Sequence, residues 1–252
     1  MLASERREHL LETLRRDGKI VAKAAAAELG LSEDSIRRDL RDLAAEGLCQ
    51  RVYGGALPVS PAVVDYASRH QVGTVGKRLV AAAAVQLISP GATVILDGGT
   101  TALAVASALP PTLRCTVITH SPTVAAALVE HPGVEVFILG GRLFKHSAVA
   151  SGAATVEAAQ RISADVFLLG VTGIHPETGL TTGDGDEAAM KRVLAGRAAE
   201  TYVLGSSEKI GAASPYRVIG FGDVAGIVTD ADPGSDVVRR LGEQVRIVEA
   251  HA

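Results

Sequence analysis

Apolar residues recur at helical spacing through the first third of the chain's opening, then give way to short apolar runs separated by alanine-rich stretches. Leu10, Leu11 and Leu14 fall on one side of a helix predicted over residues 5–17, which Gly18 ends. Lys19-Ile20-Val21 is a brief extended piece, and AKAAAAEL (22–29) is a second helix closed by Gly30. Ser32 is an N-cap candidate for a third helix, in which Ile36, Leu40 and Leu43 follow the i, i+4, i+7 rule and face inward. LCQRVYGGAL then alternates apolar and polar residues into Gly54-Gly55, the pattern of a β-hairpin wing. Further on, TVILD (93–97), CTVIT (115–119), VEVFIL (134–139), DVFLLG (165–170), TYVLG (201–205) and VAGIVT (224–229) read as strands between segments of helical length. That βαβ rhythm predicts a parallel sheet covered by helices. The predicted fold class is therefore α/β. A small N-terminal winged helix-turn-helix domain (1–57) is followed by a linker containing PVSP (58–73) and a larger, mostly parallel α/β domain (74–252).

Composition is that of a folded chain: 252 residues, 47% hydrophobic against 21% charged, with 27 glycines scattered rather than gathered. The net charge of −3, and a head in which ten Lys+Arg meet ten Asp+Glu over residues 1–57, exclude a bulk polyanion binder. Any nucleic-acid function must rest on a local patch. Arg37, Arg38 and Arg41 supply one, left on the outer faces of the third helix. A guanidinium fork can pair bidentately with a phosphate or with the O6/N7 edge of guanine. The competing reading is a solvated helix face on which Asp34, Asp39 and Asp42 balance the arginines, and spacing alone leaves the two open. The wing, which carries Arg51, favours the DNA reading. The candidate DNA contacts are Ser32, Glu33, Asp34 and Ser35 at the helix start, Arg37, Arg38 and Arg41 along it, and Arg51 and Tyr53 on the wing.

Cys49 and Cys115 have no second Cys or His at metal-finger spacing, so no metal is expected, and no cofactor motif is present. The longest apolar run, residues 79–88, is much shorter than the roughly 20 residues of a membrane span, and MLASERREHLL lacks the apolar core of a signal peptide. A cytoplasmic protein without a membrane partner is expected.

In the α/β part, DGGTT (97–101) ends a strand and opens a helix. Its glycines allow close backbone approach, while the helix amides and the Thr100 and Thr101 hydroxyls suit a phosphate. A plain turn capped by Thr100 is the bland alternative, and this loop is not a Walker motif. His120-Ser121, Gly140-Gly141 and Lys209 follow later strands, where they could join a phosphate site or be ordinary loop residues. Glu187 and Lys191 stand i, i+4 on a helix, a spacing that equally makes a salt bridge. Asp184, Asp186 and Glu187 match no metal loop, and their place near a helix N-terminus accounts for them.

Taken together, SIRRDLRDLAAEGLCQRVYGGA, DGGTTALAVA, ITHSPTVA, GGRLF, GAAT, LGVTGIHPETGL, EAAMKR and SSEKIG resemble the DeoR-type bacterial transcriptional regulators over nearly the whole chain. The resemblance implies a winged helix-turn-helix head on a sensor domain related in fold to ribose-5-phosphate isomerase, with a phosphorylated sugar or related metabolite as effector. It makes Asp97, Gly99, Thr100, Thr101, His120, Gly141, Glu187 and Lys209 the effector-binding candidates, Glu187 for sugar hydroxyls. Two departures bear on which effector fits: His120 stands where the family often has Asn, and Ser206-Ser207-Glu208 stand before Lys209 where an Asp-His pair is common. A sugar-phosphate isomerase with an accessory head is the rival reading. The related isomerases carry an acid-rich motif where this chain reads GVTGI (170–174), and no carboxylate is there. A head that binds a protein instead of DNA leaves Arg37, Arg38, Arg41 and Arg51 unexplained. The expectation is a non-enzymatic repressor of a carbohydrate-catabolic operon. Its partners are a double-stranded DNA operator, a phosphorylated sugar effector and further copies of itself, as a dimer or tetramer, because two half-sites need two heads.

Overall fold

A computed structural model describes residues 2–251. At its N-terminal end, α1 (Ala3–Asp17), β1 (Ile20–Val21), α2 (Ala22–Leu29) and α3 (Glu33–Ala45) precede a hairpin of β2 (Gln50–Val52) and β3 (Gly55–Leu57). Ser32 caps α3, its Oγ accepting from the Ser35 amide at 3.2 Å. Leu10, Leu14, Ile20, Ile36, Leu40, Leu43 and Ala56 close one buried cluster among these elements. β1 pairs with β3, so the hairpin is fastened to the helices and does not hang free.

The expected balance of Asp39 against the arginines of its own helix does not form. Asp39 is 6% exposed and receives a two-pronged ion pair from Arg6 of α1, in which Nη2 donates to Oδ1 at 2.8 Å. The pair staples α1 to α3, because a bidentate guanidinium–carboxylate contact fixes orientation as well as distance. Arg37 does pair within α3, with Glu33 at 2.7 Å. Arg38 and Arg41 have no carboxylate within salt-bridge distance among the described residues.

A short 3-10 turn (Pro61–Val63) and α4 (Tyr66–Arg69) lead to α5 (Thr74–Val85), β4 (Thr93–Leu96), α6 (Thr100–Ala108), β5 (Cys115–Thr119), α7 (Pro122–Ala127) and β6 (Val134–Ile138). A hairpin of β7 (Arg142–Phe144) and β8 (Val149–Ser151) precedes α8 (Ala153–Ala159) and β9 (Ala164–Gly170). β10 (Gly173–His175), β11 (Gly179–Thr182), α9 (Gly185–Ala195), β12 (Ala198–Leu204), β13 (Tyr216–Arg217), β14 (Gly226–Thr229), α10 (Asp236–Gly242) and β15 (Ile247–Glu249) complete the chain.

Seven of these strands form one parallel sheet in the order β15-β14-β12-β9-β4-β5-β6. All six strands expected from the apolar runs lie in it, and β15 is the addition. Alternate residues feed opposite faces: Val94 and Leu96 of β4 join Val80, Val105 and Leu168 on one side, while Ile95 joins Phe167, Leu169 and Leu194 on the other. The chain leaves β4 in one direction toward β5 and β6, and returns beside β4 with β9 to build the other half. The crevice at the carboxyl ends of β4 and β9 is thus a topological switch point, where parallel sheets of this kind hold their ligands.

The Arg6–Asp39 pair yields a first prediction. Asp39→Ala leaves Arg6 half-buried and unpaired, and urea unfolding followed by a probe in residues 2–57 is expected to show a loss of about 2 kcal/mol. An unchanged midpoint and slope would show that packing alone holds α1 on α3.

Candidate functional site

β4 stops at Leu96, and Asp97-Gly98-Gly99 turns the chain directly into α6. Gly99 has φ 97°, a conformation in which a side chain is strained, and a Cβ on Gly98 would run into the Val149 side chain. The turn gives α6 no side-chain cap. Its first amides therefore face the switch-point crevice, together with the Thr100 and Thr101 side chains.

Asp97 lies beneath, with no exposed surface. Its Oδ1 accepts from the Gly98 amide at 2.8 Å and from His120 Nε2 at 2.9 Å. Its Oδ2 accepts from the Gly170 amide at 2.8 Å and from Lys191 Nζ at 2.6 Å. Burial alone would push this carboxyl up, but the Lys191 charge and the His120 contact overturn that and hold it well below the usual carboxylate range. With both oxygens saturated, Asp97 orients Lys191 and His120 and has no lone pair free for a ligand.

Above it is a small cavity of about 30 Å³. Four cations border it: Arg69, Lys77, Lys191 and Lys209. Glu187 also borders it, but both its oxygens are occupied, Oε1 by Lys191 at 3.3 Å and Oε2 by the Ser147 hydroxyl at 3.1 Å. Lys209 is 4% exposed and donates to the Thr101 hydroxyl at 3.1 Å and the Leu204 carbonyl at 3.0 Å. Burial depresses its pKa to about 8, against a pull upward from Glu208 and a further push down from Lys77, Arg69 and Lys191. Burial likewise lowers Lys77 and Arg69. Buried cations set before a helix N-terminus, with Lys209 and Lys77 further lowered by their positive neighbours, are an arrangement that an anion relieves.

Of the expected effector residues, Gly99, Thr100, Thr101, Glu187 and Lys209 come together on this cavity. Asp97 lies under it. His120 lies on a second cavity of about 170 Å³, which shares Glu187 with the first and is also bordered by Arg142, Asp184 and Asp186. Gly141 lines neither; a Cβ there would strike the Thr155 hydroxyl and the Ser151 carbonyl, so packing accounts for the glycine. Sequence reasoning missed Arg69 and Lys77, and saw Lys191 only as the partner of Glu187. Lys77 did carry a signal: it lies on the buried stripe of α5 with Val80, Ala81 and Ala84, where a lysine needs a reason. Arg69 carried none.

On the head, Arg37, Arg38 and Arg41 are exposed along α3, with Ser32, Glu33, Asp34 and Ser35 at its start. Arg51 and a fully exposed Tyr53 stand on the hairpin.

The model of the DeoR-like helix-turn-helix domain matches residues 6–62, and that of the DeoR C-terminal sensor domain matches residues 73–231. The chain belongs to the DeoR family. Among its DeoR-family relatives, the transcriptional regulator GlpR of Haloferax volcanii is 32% identical, over 94% of this chain and 93% of that protein. The transcriptional repressor GlcR of Bacillus subtilis is 30% identical, over 99% and 98%. Among solved structures, ribose 5-phosphate isomerase A from Neisseria gonorrhoeae overlays with a TM-score of 0.40 at 14% identity, over 53% of this chain and 52% of that one. The family places the chain among DNA-binding helix-turn-helix transcription regulators. No helix among the described residues is long and apolar enough to cross a membrane.

Lys209 makes the pocket pH-sensitive. Its folded pKa of about 8 lies below the ordinary 10.5, so the unfolded chain holds this proton more tightly. The cost of the buried charge is full below about pH 8 and is relieved as pH climbs toward 10.5. A bound dianion favours the ammonium form, so binding above pH 8 takes up a proton. Sulfate, whose charge is constant in this range, is expected to bind with level affinity below pH 8 and to weaken by up to about tenfold per pH unit above it. Calorimetric titration checks this, and Lys209→Gln should flatten the profile.

Proposed function

We propose that the protein is a cytoplasmic repressor of a carbohydrate-catabolic operon, whose hold on operator DNA is set by a phosphorylated sugar in the switch-point pocket. In this reading residues 1–57 are the winged helix-turn-helix head, 58–73 the linker and 74–252 the sensor. Two or more heads act together in a homo-oligomer, since an operator with two half-sites needs two recognition helices.

The observation that carries the proposal is the charge of the pocket. Arg69, Lys77, Lys191 and Lys209 crowd one small cavity, while Asp97 is already spent on Lys191 and His120 and Glu187 is held by Lys191 and Ser147. A phosphate dianion supplies the missing negative charge, and the α6 amides and threonines supply neutral donors. The larger adjoining cavity, with Asp184, Asp186 and Glu187 on its wall, suits the hydroxylated remainder of a sugar phosphate. The relative GlcR is a transcriptional repressor, which supports the sign of regulation.

Isomerase chemistry is disfavoured by the same geometry. Proton transfer between adjacent carbons needs a free carboxylate at the substrate. Glu187 is held by Lys191 and Ser147, Asp97 is sealed, GVTGI (170–174) has no acid, and Asp184 is engaged in capping α9, which leaves Asp186 on the adjoining cavity as the carboxylate a base role would need. Purified protein given ribose 5-phosphate is expected to show no aldose–ketose conversion. A rate above the uncatalysed one that disappears in Glu187→Gln would restore the enzyme reading.

On the DNA side, Arg38 is the sharper test because no carboxylate claims it. Arg38→Ala is expected to weaken binding to the protein's own promoter region by roughly 1–3 kcal/mol and to leave nonspecific binding nearly intact. Arg51→Ala should weaken all sequences alike and lower the salt slope by about one. Anisotropy titrations at several salt concentrations separate the two, and wild-type behaviour in both variants would remove the head from the argument. A thermal-shift screen against phosphorylated sugars identifies the effector, since a ligand at 100 times its dissociation constant adds about 2.7 kcal/mol of stability.

A further inference from the structure

We propose that Arg69, carried on the segment that joins head to sheet, is itself a ligand of the anion in the switch-point pocket, so that the linker forms part of the sensor's binding site. The proposal rests on the regulatory reading above and gives it a physical route.

Arg69 ends α4, outside the sheet and its covering helices, yet it is only 8% exposed. Its Nη2 donates to the His146 carbonyl at 2.8 Å, while its Nε has no partner. A guanidinium N–H buried without an acceptor is costly, and this one belongs to a residue bordering the cavity. Thr182, which borders the same cavity, has no exposed surface, and its hydroxyl also lacks a partner. Two unmatched groups on residues that border one cavity, one an obligate donor and the other able to donate, are what an oxyanion would satisfy at once. Burial penalises the Arg69 charge, and no carboxylate is within salt-bridge distance among the described residues.

The backbone of Arg69 is bound into the site as well. Its carbonyl accepts from Lys77 Nζ at 2.7 Å and lies 3.5 Å from the Thr100 hydroxyl. Both groups border the anion cavity, so the end of α4 and an arriving anion would be held by the same pair of donors. The other end of the linker is tied to the loop that follows Lys209: the Ala213 amide donates to the Pro58 carbonyl at 3.4 Å, and Val59 bridges Ala213. Pro58 directly follows Leu57, the last residue of the wing strand β3. Linker and wing are thus one short covalent step apart, and both linker ends touch elements that carry the pocket's cations. An effector can shift the head only by binding better to one of its arrangements. An anion gripped by Arg69 does so directly, because it prefers the arrangement in which α4 is seated.

The test is hydrogen exchange on the full-length protein, with and without sodium sulfate at matched ionic strength. Two segments are followed: residues 61–69 of the linker and residues 100–103 at the start of α6. Sulfate is expected to slow exchange in both for the wild type. In Arg69→Gln the linker protection should disappear and the sulfate affinity read at residues 100–103 should fall about tenfold. Arg69→Lys, which keeps the charge but loses the fork, should restore part of the affinity. Protection of residues 100–103 alone, equal in wild type and Arg69→Gln, would overturn the role of Arg69 while leaving the anion pocket standing. No protection in either segment of the wild type would remove the pocket, and the effector reading with it. If Arg69→Gln fails to fold, Arg69→Lys keeps the test open, since wild-type sulfate affinity and linker protection in it would overturn the role of the guanidinium fork.

Discussion

A carboxylate with no exposed surface needs donors from every side, and Asp97 gathers them from four separate stretches of chain. Gly98 belongs to its own turn, His120 follows β5, Gly170 ends β9 and Lys191 sits on α9. These are the elements that meet where the sheet reverses direction. Removing the charge would leave Lys191 buried beside Glu187 alone and would free His120 from one of its two contacts. Lys191, one of the cations that border the pocket, is therefore positioned by a carboxylate whose two oxygens are already engaged. Electrostatics holds the site together from below, and Arg69, Lys77 and Lys209 above are cations that make no hydrogen bond to Asp97.

Much of this was legible in the chain itself. Helical spacing placed α1 and α3, alanine content and Gly30 placed α2, alternation placed the wing, and continuous apolar runs placed six of the seven parallel strands, whose two faces are both covered. β7, β8, β10, β11 and β13 span two to four residues apiece, too few for any period to register. DGGTT and Lys209 were visible because a glycine turn before a helix and a lysine after a strand each have a local reason. Arg69 had none, since nothing in VDYASRH marks one arginine as buried. Asp39 shows the opposite error. Helical spacing offered it nearby arginines, and tertiary packing gave it Arg6 instead, which is how Arg38 and Arg41 come to be unclaimed.

Head and sheet meet lightly apart from the linker. Lys19 lies 3.7 Å from Glu177, which Arg240 also holds at 3.0 Å, and these are exposed contacts whose individual worth is small. A weak direct interface and a tightly held linker suit a device in which the head is free to adopt more than one seat.

The head's buried cluster draws only on residues between Leu10 and Ala56, whereas the pocket is incomplete until Lys209 is present. A chain synthesised from its N-terminus can close the first cluster with local contacts, while the second waits for strands far apart in sequence to align. Order of birth therefore separates the two halves in time. A nascent copy has its arginine-bearing surface in place well before it possesses a pocket able to answer to anything.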